Sequence, residues 1–301
     1  MSNLNGVPKE VSVYEVSPRD GLQNEAATVP TTRKVRLIEA LVASGLRRIE
    51  VTSFVSPRWV PQLADAEQVV RSLGKGQFSA LCPNLKGLER ALAVGIKEIA
   101  VFMSASNTHN QKNVNATVEE TLLTFRELIP AARSHGLRVR GYVSTVWGCP
   151  YEGVVNPQVS YTLCQELLSL GCYQVSLGDT IGVATPKDIE TVLRLYGMEI
   201  SSEQIALHLH DTRGTALANV LMGLQMGVRC FDSSVAGLGG CPYAPGAAGN
   251  VATEDLVYML RGMGIETGID LDKLWEAGRV AEAVIGRGLP GKVHKAGVRS
   301  L

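Results

Sequence analysis

The chain lacks a charge imbalance: 29 Lys and Arg meet 29 Asp and Glu in 301 residues, for a formal net charge of zero. With no long basic block to follow a phosphate backbone, no nucleic-acid partner is expected. Long apolar runs are missing too; none approaches the roughly eighteen residues of a membrane span, so no membrane partner is expected either. The first strand-like run starts about ten residues after Met1, leaving no room for a signal or transit peptide, and this favours a cytoplasmic location. None of the six cysteines forms a CxxC pair, which argues against a disulfide framework and against a zinc cluster. Linkers, low-complexity segments and short-period repeats are absent as well.

The cysteines divide by context. Cys82, Cys164, Cys172 and Cys230 lie in or beside apolar segments, as small buried hydrophobes do. Cys149 and Cys241 stand instead among glycine and proline, in Gly148-Cys149-Pro150-Tyr151 and Gly239-Gly240-Cys241-Pro242-Tyr243, which read as loops. Cys241 has the more glycine-rich surroundings.

What the chain does contain is a large apolar fraction, 45%, arranged in a repeating pattern. Runs of strand length and β-branched character alternate with segments of helical period, the signature of βα units around a parallel sheet. Eight runs are predicted as strands: 11–16, 48–53, 78–82, 98–103, 139–145, 174–177, 205–208 and 230–235. Helices are predicted over 32–43, 84–94, 118–133, 157–170, 186–195, 215–226, 254–262 and 271–285, and Gly45, Gly95, Gly136, Gly171 and Gly227 follow five of them as stop signals. Eight such units, with Ser17-Pro18-Arg19-Asp20-Gly21 after the first strand where a GxGxxG would stand in a doubly wound sheet, predict an α/β fold of the (β/α)8 TIM-barrel type. The expectation is one catalytic domain over 1–301, with the barrel at about 11–265 and an additional C-terminal helical segment and tail at about 266–301.

In such barrels the chemistry gathers at the carboxyl ends of the strands. Polar residues that fall there are Arg19 and Asp20 after strand one, Glu50 and Ser53 on strand two, Asp179 after strand six, His208 and His210 on strand seven, and the 237–250 loop after strand eight. In His208-Leu209-His210-Asp211-Thr212-Arg213-Gly214 two imidazoles two residues apart point to the same side of a strand, so both can reach one ion. Asp20 offers a carboxylate oxygen and Asn250 a carbonyl oxygen, completing a mixed nitrogen and oxygen set that suits Mg²⁺ or Mn²⁺ and also accommodates zinc or cobalt. Arg19 supplies a permanent cation for an oxygen that turns negative during reaction, and Cys241 a thiol able to carry a proton. These parts fit carbon-carbon cleavage or condensation through a thioester enolate.

The residues resemble the 3-hydroxy-3-methylglutaryl-CoA lyase family, within a wider group of metal-dependent barrel lyases and synthases that share the HxHD motif. The likeness runs from about Val11 to Val293 and is carried by Ser17-Pro18-Arg19-Asp20-Gly21-Leu22-Gln23-Asn24-Glu25, by 49–57, by 177–182, by 235–244 and by 246–250. It implies that Asp20, His208, His210 and Asn250 hold a divalent cation, that Arg19 steadies the enolate and contacts substrate, and that Cys241 serves proton transfer or loop closure. It further implies Glu50 as an acid/base or supporting carboxylate, Asp179 and Ser53 as polar neighbours of an acyl-CoA substrate, and a homodimer. Asp20 and His208 are both candidates for taking the hydroxyl proton. The implied reaction splits 3-hydroxy-3-methylglutaryl-CoA into acetyl-CoA and acetoacetate, a step of leucine breakdown and ketone-body production. Two relatives of that chemistry compete with it: a lyase for a bulkier 3-hydroxy-3-substituted glutaryl-CoA, and a synthase condensing acetyl-CoA with a 2-oxo acid. A non-catalytic scaffold has no use for ligands, cation and thiol together.

Some residues have a plainer alternative. His109, His135 and His294 lack partners in the pattern and read as structural, Asp211 as a carboxylate orienting an imidazole, and Glu50 equally as a buried partner of an arginine.

Overall fold

Eight parallel strands close on themselves in sequence order: β1 (Ser12–Glu15), β2 (Arg48–Ser53), β3 (Phe78–Leu81), β4 (Glu98–Ser104), β5 (Arg138–Ser144), β6 (Gln174–Asp179), β7 (Ile205–Leu209) and β8 (Cys230–Ser233). The structure, a computed structural model, describes residues 6–74, 76–240 and 248–298. Closure is made by β1 against β8, with Ser12 beside Cys230 and Glu15 beside Ser233. Around the strands run α1 (Thr31–Ala43), α2 (Ala66–Ser72), α3 (Leu85–Ala93), α4 (Asn107–Val114), α5 (Val118–Ser134), α6 (Pro157–Leu170), α7 (Pro186–Tyr196), α8 (Ala216–Gln225), α9 (Thr253–Gly262), α10 (Leu271–Ile285) and α11 (Lys292–Ala296). This is the (β/α)8 barrel expected from the alternation.

Local chemistry sets the helix ends. Thr117 and Glu120 form a reciprocal capping box on α5, Asp270 accepts from the amides of Asp272 and Lys273 at the start of α10, and Gly171 ends α6 at φ 114°. On α10 the buried positions Leu271, Leu274, Ala277, Gly278, Ala281 and Val284 recur at helical spacing, and that face packs against α1 and α9. Three helices escaped the sequence pattern. In α4 the buried residues are His109 and Asn110, so there is no apolar stripe to read, while α2 and α11 are too short for periodicity to register.

The interior of the barrel carries a network of buried polar side chains. Arg140 on β5 and Asp232 on β8 are both fully buried and meet at 2.6 Å, a contact between non-adjacent strands that only the barrel lumen allows. The Tyr14 hydroxyl donates to Ser79 at 2.6 Å and lies 3.0 Å from Glu98, and the Arg140 guanidinium stacks on the Tyr14 ring at 4.1 Å. The apolar core lies outside this layer, between strands and helices.

Candidate active site

After β1 the chain makes a wide π-helical turn over Ser17–Gly21, with the amides of Asp20 and Gly21 both directed at the Val16 carbonyl. The widened turn turns Arg19 and Asp20 toward the barrel mouth. Arg19 is buried between two carboxylates: its Nη1 donates to Asp20 Oδ1 at 2.7 Å, and its Nε and Nη2 reach Glu50 Oε2 at 2.8 and 2.7 Å. Adjacent residues seldom pair well in a regular element, but here the irregular turn lets Arg19 and Asp20 do so. Glu50 also accepts from the Tyr142 hydroxyl at 3.2 Å, so both readings of Glu50 meet in one place: it is an arginine-paired buried carboxylate at the site.

The imidazoles of His208 and His210 lie 5.4 Å apart, and ligand atoms of Asp20, His208 and His210 fall within 4.8 Å of one another. His208 Nε2 is 4.0 Å from Asp20 Oδ2, and the Asn250 side-chain amide donates to the same oxygen at 2.8 Å. The four residues expected to surround a cation are therefore together. Nδ1 of His208 and Nδ1 of His210 both lack a hydrogen-bond partner of normal geometry among the described residues. Burial pulls His210 down to about 4, so its ring is neutral and able to ligate at neutral pH. Burial works to raise Asp20, but Arg19 and the two imidazoles outweigh it and hold that carboxyl at about 2. A pair of imidazole nitrogens beside an ionised carboxylate and an amide is the donor chemistry of a divalent cation.

Arg19, Asp20, Tyr142, His208 and His210 line one wall of a cavity of about 440 Å³, large enough for a small-molecule substrate. Trp59, Phe102, His109 and Asn113 line it as well. His109, read as structural, thus borders the cavity, its Nδ1 held by Ser104 Oγ, which also meets Ser144 Oγ at 2.6 Å. Ser53 and Asp179 stand beside the cavity, where Val55, Ser56, Gly178 and Thr180 form its surface. The Ser53 hydroxyl accepts from the Val55 amide at 3.2 Å, and the Asp179 carboxylate accepts from the amides of Val183 and Ala184 at 3.0 and 3.1 Å. Burial pushes the Asp179 carboxyl up to about 6.

Asp211 corrects the reading of it as an imidazole-orienting acid. It accepts from the Ala216 amide at 3.2 Å, pairs with Lys292 and so ties the start of α8 to α11. The carboxylate beside His208 Nδ1 is Asp232, 3.4 Å away and outside the HxHD motif. Charged residues inside the buried strand runs Arg138-Val139-Arg140 and Cys230-Phe231-Asp232 were the available signal. Cys241 lies outside the described residues, and so do Pro242 and Tyr243 of its motif. Cys149 is buried, with its Sγ accepting from the amides of Tyr151 and Glu152 at 3.3 Å, and Cys82, Cys164, Cys172 and Cys230 are buried free thiols as expected. No described helix is long and apolar enough to cross a membrane.

Comparison with known proteins extends this geometry to the whole chain. Hydroxymethylglutaryl-CoA lyase, mitochondrial, of Bos taurus is 51% identical over 298 residues, covering 98% of this chain and 92% of that protein. The mitochondrial enzyme of Arabidopsis thaliana is 52% identical over 285 residues, but the chain spans only 61% of its length. A relative named cytoplasmic, from Rattus norvegicus, is 49% identical over 99% of this chain. Among solved structures, the Bacillus subtilis HMG-CoA lyase superposes with a TM-score of 0.95 at 48% identity, covering 96% of this chain and 98% of that one. An Acinetobacter baumannii HMG-CoA lyase, solved with coenzyme A and 3-methylmalate, gives 0.91 at 40% identity, with 97% and 98% covered. The family model described as HMGL-like, a metal-dependent lyase family, matches residues 10–281, and the chain belongs to that family.

Proposed function

We propose that this chain is a divalent-metal-dependent lyase that cleaves 3-hydroxy-3-methylglutaryl-CoA to acetyl-CoA and acetoacetate. The observation that carries the reading is the convergence of Asp20, His208 and His210 beside the buried Arg19 in the lining of the cavity. The names of its relatives support the substrate, and the neighbour solved with coenzyme A supports an acyl-CoA as its class.

Asp20, His208, His210 and Asn250 would hold the cation, with Mg²⁺ or Mn²⁺ suited to the two oxygen donors. For Asn250 this needs a half-turn of the side-chain amide, since its nitrogen now faces Asp20. When bound, the cation supplies Lewis acidity to the substrate hydroxyl and to a neighbouring oxygen. Two proton acceptors border the hydroxyl's position, Asp20 and His208. Loss of that proton lets the oxygen become a ketone as the C2–C3 bond breaks, and the bonding pair passes into the thioester as an enolate. Arg19 is the donor for the enolate oxygen: its guanidinium is held by Glu50 and Asp20 before substrate arrives, so little reorganisation is needed when charge develops. Glu50 acts by fixing that guanidinium. Cys241, on the glycine-rich loop, is the donor that returns a proton to the enolate carbon and yields acetyl-CoA.

The test is turnover of 3-hydroxy-3-methylglutaryl-CoA by chelated protein resupplied with Mg²⁺ or Mn²⁺, followed as acetoacetate. Metal-dependent release supports substrate, reaction and cation together. Metal binding without turnover refutes the substrate and points to a bulkier acyl-CoA.

A further inference from the structure

We propose that Asp232, locked by Arg140 and Ser176, is a positioning residue that fixes His208 in the tautomer whose Nε2 faces the Asp20 and His210 side chains. The inference rests on the reading of His208 as a ligand but adds residues from outside the cation's own donor set. His208 and Asp232 stand side by side on β7 and β8 in register. Asp232 Oδ2 is 3.4 Å from His208 Nδ1, a close contact whose geometry falls short of a hydrogen bond, and that nitrogen has no other hydrogen-bond partner among the described residues, while His208 Nε2 looks toward Asp20.

The rest of the Asp232 carboxylate is held by donors. Oδ1 accepts from Arg140 Nη2 at 2.6 Å, and Oδ2 from Arg140 Nη1 at 3.2 Å and from Ser176 Oγ at 2.7 Å. A carboxylate held this way is ionised and can only accept. The imidazole nitrogen facing it must therefore carry the proton, and the lone pair is left on Nε2. Arg140 is itself fixed, donating from Nε to Gln174 at 3.1 Å and packing on the rings of Tyr14 and Tyr142. The carboxylate thus has no freedom to swing away from the histidine. A fully buried ion pair contributes little to stability over a well-packed apolar pair, so stability alone does not account for one under the site. Orientation of a ligand does.

The experiment is ¹⁵N NMR of metal-free protein labelled at histidine, with His208→Gln to assign the resonances, followed by Mn²⁺ titration monitored by EPR of the free ion. The wild-type chain is expected to show Nδ1–H at His208. In Asp232→Asn the amide oxygen stays on Arg140 and its NH₂ turns to the ring; the proton is expected to move to Nε2, and Mn²⁺ affinity to fall about 10- to 100-fold. Ser176→Ala, which removes one donor and leaves the ion pair, is expected to weaken Mn²⁺ several-fold with an unchanged melting temperature. An Nε2–H proton in the wild type overturns the proposal, as does a folded Asp232→Asn that keeps Nδ1–H and wild-type affinity. If Asp232→Asn fails to fold, the wild-type tautomer and the Ser176→Ala affinity decide. Failure of the wild type to bind Mn²⁺ overturns the ligand reading, whereas the tautomer still decides the positioning.

Discussion

Replacing Arg19 by methionine separates two jobs of one guanidinium, one proposed and one visible in its ion pairs. The first is catalytic. Loss of a preorganised donor to a developing oxyanion costs about 3 kcal/mol or more, a fall in kcat of about 10²- to 10³-fold. The second is structural, because Glu50 is fully buried and its nearest cation is Arg19. Burial already pushes the Glu50 carboxyl up with Arg19 in place, and without it the group escapes by binding a proton. Protonation limits the damage. A carboxyl with an unfolded pKa of about 4.5 costs about 1.4 kcal/mol per pH unit to protonate, so the loss at pH 7 is at most about 3.5 kcal/mol. Its sign follows from the raised folded value: the variant's native state binds the extra proton, so the deficit is small below about pH 4.5 and grows as pH rises.

The cation should stay. Asp20 keeps the hydrogen bond from Asn250 and its place beside the two imidazoles, and a divalent cation bound there would itself favour the carboxylate form. The assay is therefore threefold: acetoacetate release at saturating substrate and metal, Mn²⁺ affinity, and urea unfolding at pH 5 and pH 8. Arg19→Met should bind Mn²⁺ near normally, turn over at least about 100-fold more slowly, and be more destabilised at pH 8 than at pH 5. A rate within threefold of wild type would remove Arg19 from enolate stabilisation. Equal destabilisation at both pH values would refute the electrostatic account of its partnership with Glu50.

Other perturbations probe the remaining parts. His210→Ala should lose metal affinity along with rate, and tight Mn²⁺ binding by the variant would break the ligand assignment. Cys241→Ala should fold, keep its metal and lose several orders of magnitude in turnover; wild-type activity would take the thiol out of the mechanism. Burial lifts Glu254 to about 8, so the native state holds an extra proton between about pH 4.5 and 8 and loses stability as pH climbs through that window. Glu254→Gln, whose amide oxygen can keep the bond from the Ala236 amide, should gain on the order of 1 kcal/mol or more at pH 8.5 and little at pH 4.5 by urea unfolding, and a pH-independent effect would count against the buried charge.

The alternation of apolar runs placed every strand within a few residues because a parallel barrel buries both faces of its strands, so the runs are continuous and sharply bounded. Five stop glycines were legible for an equally local reason: Gly45, Gly95, Gly136, Gly171 and Gly227 all take positive φ. The convergence of Asp20, His208, His210 and Asn250 was legible because barrel topology brings strand ends together whatever their separation in sequence. Contacts set by tertiary register were not legible. Asp211 sits next to the imidazole in sequence, yet the strand's end turns it toward α8 and Lys292, whereas Asp232 reaches His208 from the neighbouring strand. Arg140 was hidden in the same way, since a charge in mid-strand acquires meaning only when the strand opposite supplies its carboxylate.

The segment after α10 shows how a stretch without chemistry of its own bears on the site. Ala236, at the entry to the loop that carries Cys241, has φ 52°, a left-handed conformation that costs a non-glycine residue free energy. Such a conformation persists only where its surroundings fix it. Here the Ala236 amide donates to Glu254 at 2.7 Å and its carbonyl accepts from the Gly291 amide at 2.8 Å. A side chain at position 291 would bring its Cβ within 3.0 Å of the Ala236 backbone, so the approach demands glycine. The next residue, Lys292, pairs with Asp211 just beyond the two histidines, and its amide is held by Asp255 at 3.1 Å. Two consecutive residues thus touch the base of the cysteine loop and the end of the histidine strand. The glycine and proline of Gly286-Arg287-Gly288-Leu289-Pro290-Gly291 are what let the chain leave α10 and come close enough to hold both. The C-terminal segment therefore fixes Ala236, beyond β8, relative to Asp211, just after the two histidines at the end of β7.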